Sequence, residues 1–304
     1  MLDKDLIKLI DDKAQDLNSK GDIAKEVAEI VKNLNLYIDE EITLTQEQID
    51  NYLSILGGYF STSLYIPIDP GTKFLRAREF DLHHLETEVS ELSYLPECKK
   101  QYARQGRFNP KGAPIFYACI YFDGSGGLNV GFSEINAVPE KSVNVLRSKN
   151  VNDLNVYYIG IYDLVYRESK PRFMPDAMFN KYREVYEYQE AKFSPQAFLA
   201  HQVCDAFFSD ILRRKEHGNL YNVTSRLPQI FLSEDAIDGI IYTSVKAEGA
   251  PVVAIKCNSV DHKMVHESCE AFEIQYDFGY ARYQALNTHI GTICDNQINW
   301  VHKT

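Results

Sequence analysis

Four residues of the 304-residue chain have side chains and settings suited to chemistry: Arg76, Arg107, Glu134 and Ser244. Arg107 lies in Gly106-Arg-Phe-Asn-Pro-Lys-Gly-Ala-Pro-Ile-Phe-Tyr117, a Gly- and Pro-rich loop that runs into the apolar strand Pro114-Ile-Phe-Tyr-Ala-Cys119. Loops of this kind carry function when a rigid element holds them. A guanidinium there suits an oxyanion or a phosphate, because it binds such groups in a planar, bidentate way; an arginine taken alone is more often a surface ion-pair partner. Upstream, Phe74-Leu-Arg-Ala-Arg78 places Arg76 and Arg78 on one face of a short strand, since strand side chains alternate. Two guanidiniums on one face repel unless an anion or carboxylates lie between them, and Glu79 and Asp81 are the nearest carboxylates in sequence.

Glu134 follows Phe122-Asp-Gly-Ser-Gly-Gly-Leu-Asn-Val-Gly-Phe-Ser, which reads as a glycine-rich linker. The stretch lacks the Gly-Lys-Ser/Thr ending of a P-loop and the spacing of a dinucleotide fingerprint, so its glycines are expected to serve turns and flexibility. Glu134 itself sits among apolar neighbours and is expected to be a partly buried carboxylate. Ser244 closes Asp238-Gly-Ile-Ile-Tyr-Thr-Ser244, a turn followed by a strand. No Gly-x-Ser-x-Gly elbow surrounds it, so it reads as a hydrogen-bonding group and not as an activated nucleophile. The spacing His262-x-x-x-His266-x-x-Cys269 would put both histidines on one face of a helix, yet a fourth ligand is not evident nearby, and a metal is not expected.

The elements that position these residues are of two kinds. Residues 1–65 read as a helical N-terminal segment: Asp22 caps one helix, with Ile23, Val27, Ile30 and Val31 on one face, and Thr45-Gln-Glu-Gln48 has the form of a capping box for the next. Gly57-Gly58 is expected to weaken or end that helix, and Pro67 and Pro70-Gly71 mark a boundary. Residues 66–304 read as one catalytic domain of short β-rich runs, among them Asn155 to Tyr166, with a single clear helix from Pro195 to Lys215 behind Ser194. Strands scattered among few helices give an α+β class with mixed or antiparallel sheets.

Composition excludes some functions. A net charge of -11 disfavours binding to a phosphate backbone, so no direct nucleic-acid partner is expected. The N-terminus alternates apolar residues with Asp and Lys, unlike a secretory signal, and no run approaches the ~20 apolar residues of a membrane span. Six cysteines without a CxxC pair then suggest reduced core residues and a cytoplasmic location.

Taken in order, Phe74-Leu-Arg76-Ala-Arg, Gly106-Arg107-Phe-Asn-Pro-x-Gly-x-Pro-x-x-Tyr117, Glu134-Ile135, His201-Gln-Val-Cys-Asp205 and Asp238-Gly-Ile-Ile-Tyr-Thr-Ser244 resemble the RES domain family, named for its Arg, Glu and Ser. The resemblance covers roughly residues 72–258. It implies an ADP-ribosyltransferase-like fold and an enzyme, often a toxin held by an antitoxin or immunity protein, that cleaves the nicotinamide–ribose bond of NAD. NAD is then substrate, and no separate cofactor is implied. On that resemblance Glu134 stabilises the ribose cation, Arg76 and Arg107 hold the pyrophosphate, Tyr117 packs on the nicotinamide side and Ser244 hydrogen-bonds there. The chain departs from the pattern in the Gly124–Gly131 stretch and at Thr243, where the family often has proline. The acceptor (water, phosphate or a macromolecule) stays open, as does a homo-oligomeric state. Phe132, where a transferase commonly has an acid, disfavours the ADP-ribosyltransferase reading. A catalytically silent NAD-binding module is the alternative from another class.

Overall fold

A computed structural model describes residues 2–60, 65–121, 126–171, 174–247 and 249–303. Along the chain run α1 (Lys4–Asn18), α2 (Ile23–Ile38), α3 (Gln46–Phe60), β1 (Tyr65–Ile68), β2 (Lys73–Asp81), α4 (Val89–Leu92), a 3-10 helix (Glu97–Tyr102), β3 (Phe116–Tyr121) and α5 (Gly126–Glu134). Then come β4 (Lys141–Asn150), β5 (Leu154–Tyr158), α6 (Ile161–Tyr166), α7 (Asp176–Lys192), α8 (Pro195–Arg213), α9 (Leu220–Thr224) and α10 (Pro228–Phe231). The chain ends through β6 (Gly239–Thr243), β7 (Pro251–Ile255), α11 (Cys257–Lys263), β8 (Met264–Asp277), β9 (Tyr283–Cys294) and β10 (Gln297–His302). The class is α+β, with a ten-stranded sheet in the order β1-β5-β6-β7-β3-β2-β4-β8-β9-β10.

Two compact units divide the chain: residues 1–66 with 157–234, and residues 67–156 with 235–304. The first break lies next to the expected boundary at 65/66. The expected single domain 66–304 is split, because residues 157–234 group with the N-terminal helices.

In the helical unit the local signals hold. Asp22 accepts the Lys25 N–H (3.2 Å). Thr45 and Gln48 form the reciprocal capping box: the Thr45 N–H reaches Gln48 Oε1 (2.8 Å) and the Gln48 N–H reaches Thr45 Oγ1 (3.2 Å). Ser194 caps α8 through the Ala197 N–H. Gly57-Gly58 does not end α3, which continues to Phe60. At Gly57 an added Cβ would sit 2.5 Å from Ile230 Cγ2, so the glycine allows close packing against the α10 segment. The run from Asn155 to Tyr166 is likewise not one strand: β5 stops at Tyr158 and α6 begins at Ile161. Gly160 takes φ +87°, and the Asp205 carboxylate receives the N–H groups of Gly160 and Asp163, both at 2.9 Å. A cap supplied from 45 residues away overrides the local β preference. α7, too, is a helix where none was expected.

In the sheet unit every strand pair with a described register is antiparallel. Registers and strand alternation sort its side chains onto two faces. Leu75, Ala77, Tyr117, Cys119, Tyr121 and Tyr242 share one face; Phe74, Arg76, Arg78 and Phe116 share the other. α5 lies on the first face, where Phe132 and Ala137 join Leu75, Val143, Val145, Phe272 and Ile274 in a buried core. β8, β9 and β10, beyond the segment covered by the resemblance, extend the sheet past β4.

Candidate functional site

The residues before Glu134 form a helix where a flexible linker was expected. Phe122 to Ser125 lie outside the described residues, but Gly126–Glu134 is helical. Gly127 and Gly131, one turn apart, face the sheet: a Cβ on Gly127 would overlap the Tyr121 ring, and one on Gly131 would lie 2.6 Å from Leu75 Cδ2. The glycines that argue against a helix by propensity are those that let it lie close on β2 and β3. Tertiary packing decides.

The end of α5 is fixed in detail. Ala137 N–H bonds the Phe132 carbonyl (2.9 Å), Asn136 N–H bonds the Ser133 carbonyl (3.0 Å), and Asn136 takes φ +50°. This is a Schellman motif with Asn at its left-handed position, and the buried Phe132–Ala137 cluster supplies the accompanying apolar contact. Glu134 therefore leaves the last helical turn in a defined direction. Its Oε1 accepts a hydrogen bond from Ser244 Oγ, 110 residues away in sequence.

Ser244 is held just as firmly. It is buried, its N–H bonds the Ala250 carbonyl (2.8 Å), and its Oγ accepts the N–H groups of Lys246 (3.1 Å) and Ala247 (2.8 Å). A hydroxyl has two acceptor positions and one proton. With both acceptor positions taken by amides, the proton is directed to Glu134. The expected hydrogen-bonding role is thus met by a defined partner.

Tyr117 belongs to the same face, and its hydroxyl reaches the loop that carries Arg107. The Tyr117 hydroxyl donates to Asn109 Oδ1 (2.8 Å) and accepts the Phe108 N–H (2.9 Å), so it props the turn that carries Arg107. Gly106 and Asn109 bridge that turn, and Phe108 is fully buried beneath it. Two buried residues feel the charge of these groups. Burial holds the Tyr242 phenol well above its ordinary range; Tyr117 and Glu134 push it further up, and Arg107 pulls it down. Burial likewise raises the Cys119 thiol, with Glu134 adding to the rise and Arg76 opposing it. Glu134, Arg107 and Tyr117 thus all act electrostatically on Tyr242, which with Cys119, Asn109 and Lys246 was not singled out from sequence. Their signal lay only in their sitting inside, or just beyond, motifs noticed for other residues.

Arg76 does not join them. Its side chain leaves β2 on the face opposite α5, where Nε donates to the carbonyls of Leu92 (3.1 Å) and Ser93 (3.0 Å) and Nη1 to that of Tyr117 (2.6 Å). The guanidinium also lies 5.6 Å from the Phe116 ring centroid. Arg78 donates to the same Ser93 carbonyl (2.8 Å). Main-chain carbonyls at the end of α4, not Glu79 or Asp81, separate the two cations, as suits the negative end of a helix. Burial, with Arg78 adding to it, pushes Arg76 down to about 9, which leaves it a cation at neutral pH. β2 and β3 pair only from Lys73 to Leu75; beyond that point Arg76 takes the Tyr117 carbonyl that a strand neighbour would otherwise bond. Arg76 therefore positions β3, a role that the carbonyl geometry favours over the expected clamp on pyrophosphate.

Other motifs resolve as structure. Asp238 is buried and accepts from Asn155 N–H (2.7 Å), Ser259 Oγ (2.7 Å) and Lys263 Nζ (2.7 Å), tying β5 and α11 to the start of β6. His201, Cys204 and Asp205 are fully buried in α8 of the helical unit. The His262/His266/Cys269 spacing spans the end of α11 and the start of β8, so no helix aligns it; His266 Nδ1 pairs with Ser148 Oγ at 2.7 Å. Among the described residues no helix is long and apolar enough to cross a membrane. No protein-family model, no curated protein and no solved structure matches this chain.

Proposed function

We propose that the chain is an enzyme of the RES type that breaks the nicotinamide–ribose bond of NAD, with Glu134 as the residue that stabilises the reacting sugar. The observation that carries this reading is the Ser244-to-Glu134 hydrogen bond, made from a hydrogen-bonded turn to a capped helix end on the face that bears Tyr117. A carboxylate aimed by a donor is suited to a developing cation, and preorganised charge of this kind is commonly the largest single contribution to catalysis. In the reaction the bond between ribose C1′ and the pyridinium nitrogen breaks, and its electron pair leaves with nicotinamide, which becomes neutral. The leaving group needs no proton. An oxygen of water or phosphate then attacks C1′ and loses its proton, as in glycoside hydrolysis with one carboxylate instead of two.

In this reading Arg107 faces the pyrophosphate, Tyr117 packs beside the nicotinamide ribose, and Arg76 acts through the Tyr117 carbonyl. The ADP-ribosyltransferase-like arrangement, the cytoplasmic setting and a proteinaceous inhibitor such as an antitoxin follow from the same proposal. Phe132 is buried in the core under α5, so no acid stands two residues before Glu134, which favours a small acceptor over a macromolecule. The test is incubation of the purified chain with NAD, with and without millimolar phosphate, followed by chromatography of nicotinamide and the ADP-ribose products. Free ADP-ribose names water as acceptor and a phosphorylated product names phosphate. Absence of nicotinamide under both conditions would refute the proposal.

A further inference from the structure

Glu134 is gripped at a second point that its carboxylate chemistry does not require. The Schellman motif satisfies the carbonyls of Phe132 and Ser133 but leaves that of Glu134, one of the four a helix C-terminus leaves without an intrahelical partner. Lys246 Nζ takes it at 2.7 Å. Lys246 belongs to the same turn as Ser244: its own N–H bonds Ser244 Oγ, and the turn is closed by Ser244 N–H to Ala250 O and Ala250 N–H to Ala247 O. One short segment therefore delivers a hydroxyl to the Glu134 carboxylate and an ammonium to the Glu134 main chain. A cation at the negative end of α5 also offsets the unfavourable placement of a glutamate there.

We infer that Lys246 is a positioning residue for Glu134, locking the end of α5 to the Ser244 turn so that the carboxylate keeps one direction. The inference rests on the proposed cleavage of NAD. Lys246 is exposed and contacts the main chain, so its removal leaves the fold intact while loosening the carboxylate. The expected signature is a fall in kcat of about 10-fold with KM for NAD little changed, since small misplacements of a reacting group cost rate before they cost affinity.

The experiment compares wild type, Lys246→Met and Lys246→Arg for NAD turnover and for amide hydrogen exchange over residues 132–137. Support consists of a kcat loss in Lys246→Met, partial restoration in Lys246→Arg, and faster exchange at Asn136 and Ala137 in Lys246→Met alone. Equal kcat and equal exchange in wild type and Lys246→Met would overturn the inference while leaving the NAD reading standing. A wild type that releases no nicotinamide would defeat the NAD reading itself, and with it the catalytic part of the inference; the exchange measurement would still decide whether Lys246 holds the helix end.

Discussion

The helical unit and the sheet unit each hold a set of polar groups in place, and they use them in opposite ways. In the helical unit Asp205 is fully buried and receives the amides of Gly160 and Asp163, which start α6. His201, also fully buried, points Nδ1 at the Tyr59 carbonyl (3.1 Å) among Phe60, Tyr162 and Phe193. Both are enclosed by their own unit and satisfy its backbone. In the sheet unit Glu134, Arg107 and Tyr117 are only half-buried, and hydrogen bonds fix the Glu134 carboxylate and the Tyr117 hydroxyl. A polar residue whose partners are all backbone and whose surface is gone serves the fold; one that is firmly aimed yet keeps surface can serve a ligand.

That contrast can be broken first where the effect is largest. Asp205→Ala should cost about 3 kcal/mol or more, because it leaves buried amides at the start of α6 without an acceptor. Urea unfolding would register this, while NAD turnover per folded molecule stays at the wild-type level. A turnover loss in the folded fraction would mean the two polar sets do not separate as described.

The second test uses pH. Burial pushes His201 down to about 4, with the Tyr59 carbonyl opposing that shift, while an unfolded histidine titrates near its ordinary value of 6.5. The unfolded chain therefore binds the proton first as pH falls. The stability held by neutral His201 is complete above pH 6.5 and is lost as pH drops toward 4, by at most about 3 kcal/mol. Asp205, pushed up from 3.8 to about 7 by burial against the amides that pull it down, changes stability in the other direction across the whole of that range. The difference between wild type and His201→Met isolates the histidine: wild type should lose ground to the variant as pH falls from 6.5 to 4. A constant difference would show that His201 is not kept neutral by burial.

In the sheet unit smaller stability effects should bring larger functional ones. Gly131→Val places a side chain where even a Cβ lies 2.6 Å from Leu75 Cδ2. Overpacking of this kind costs about 1–3 kcal/mol, and the lifted helix carries Glu134 with it. Turnover should fall about 10-fold or more, beyond what the melting shift explains. Full turnover in a folded Gly131→Val protein would detach the helix position from the chemistry.

What the residues disclosed in advance was mainly local. Asp22, the Thr45–Gln48 box and Ser194-Pro195 announce helices because each cap is satisfied within a few residues. Glu134 and Ser244 were legible as a carboxylate and a hydrogen-bonding group, though not as partners of each other. α5 was hidden because its glycines look like a linker until Tyr121 and Leu75 are seen against them. α6 was hidden because its cap comes from Asp205, and the grouping of 157–234 with the first helices depends on contacts far apart in sequence. Arg76 looked like an anion clamp because the carbonyls of Leu92, Ser93 and Tyr117 leave no trace in residue type.

The most direct test of the central claim is NAD turnover by wild type beside Glu134→Gln, with nicotinamide followed under saturating NAD. The Ser244 hydrogen bond and the helix end can both survive that substitution, so the folded protein is retained and only the charge is lost. The account predicts nicotinamide release by the wild type and a turnover lower by on the order of 10²-fold or more in the variant. Equal turnover in the two proteins, or none in the wild type, would contradict it.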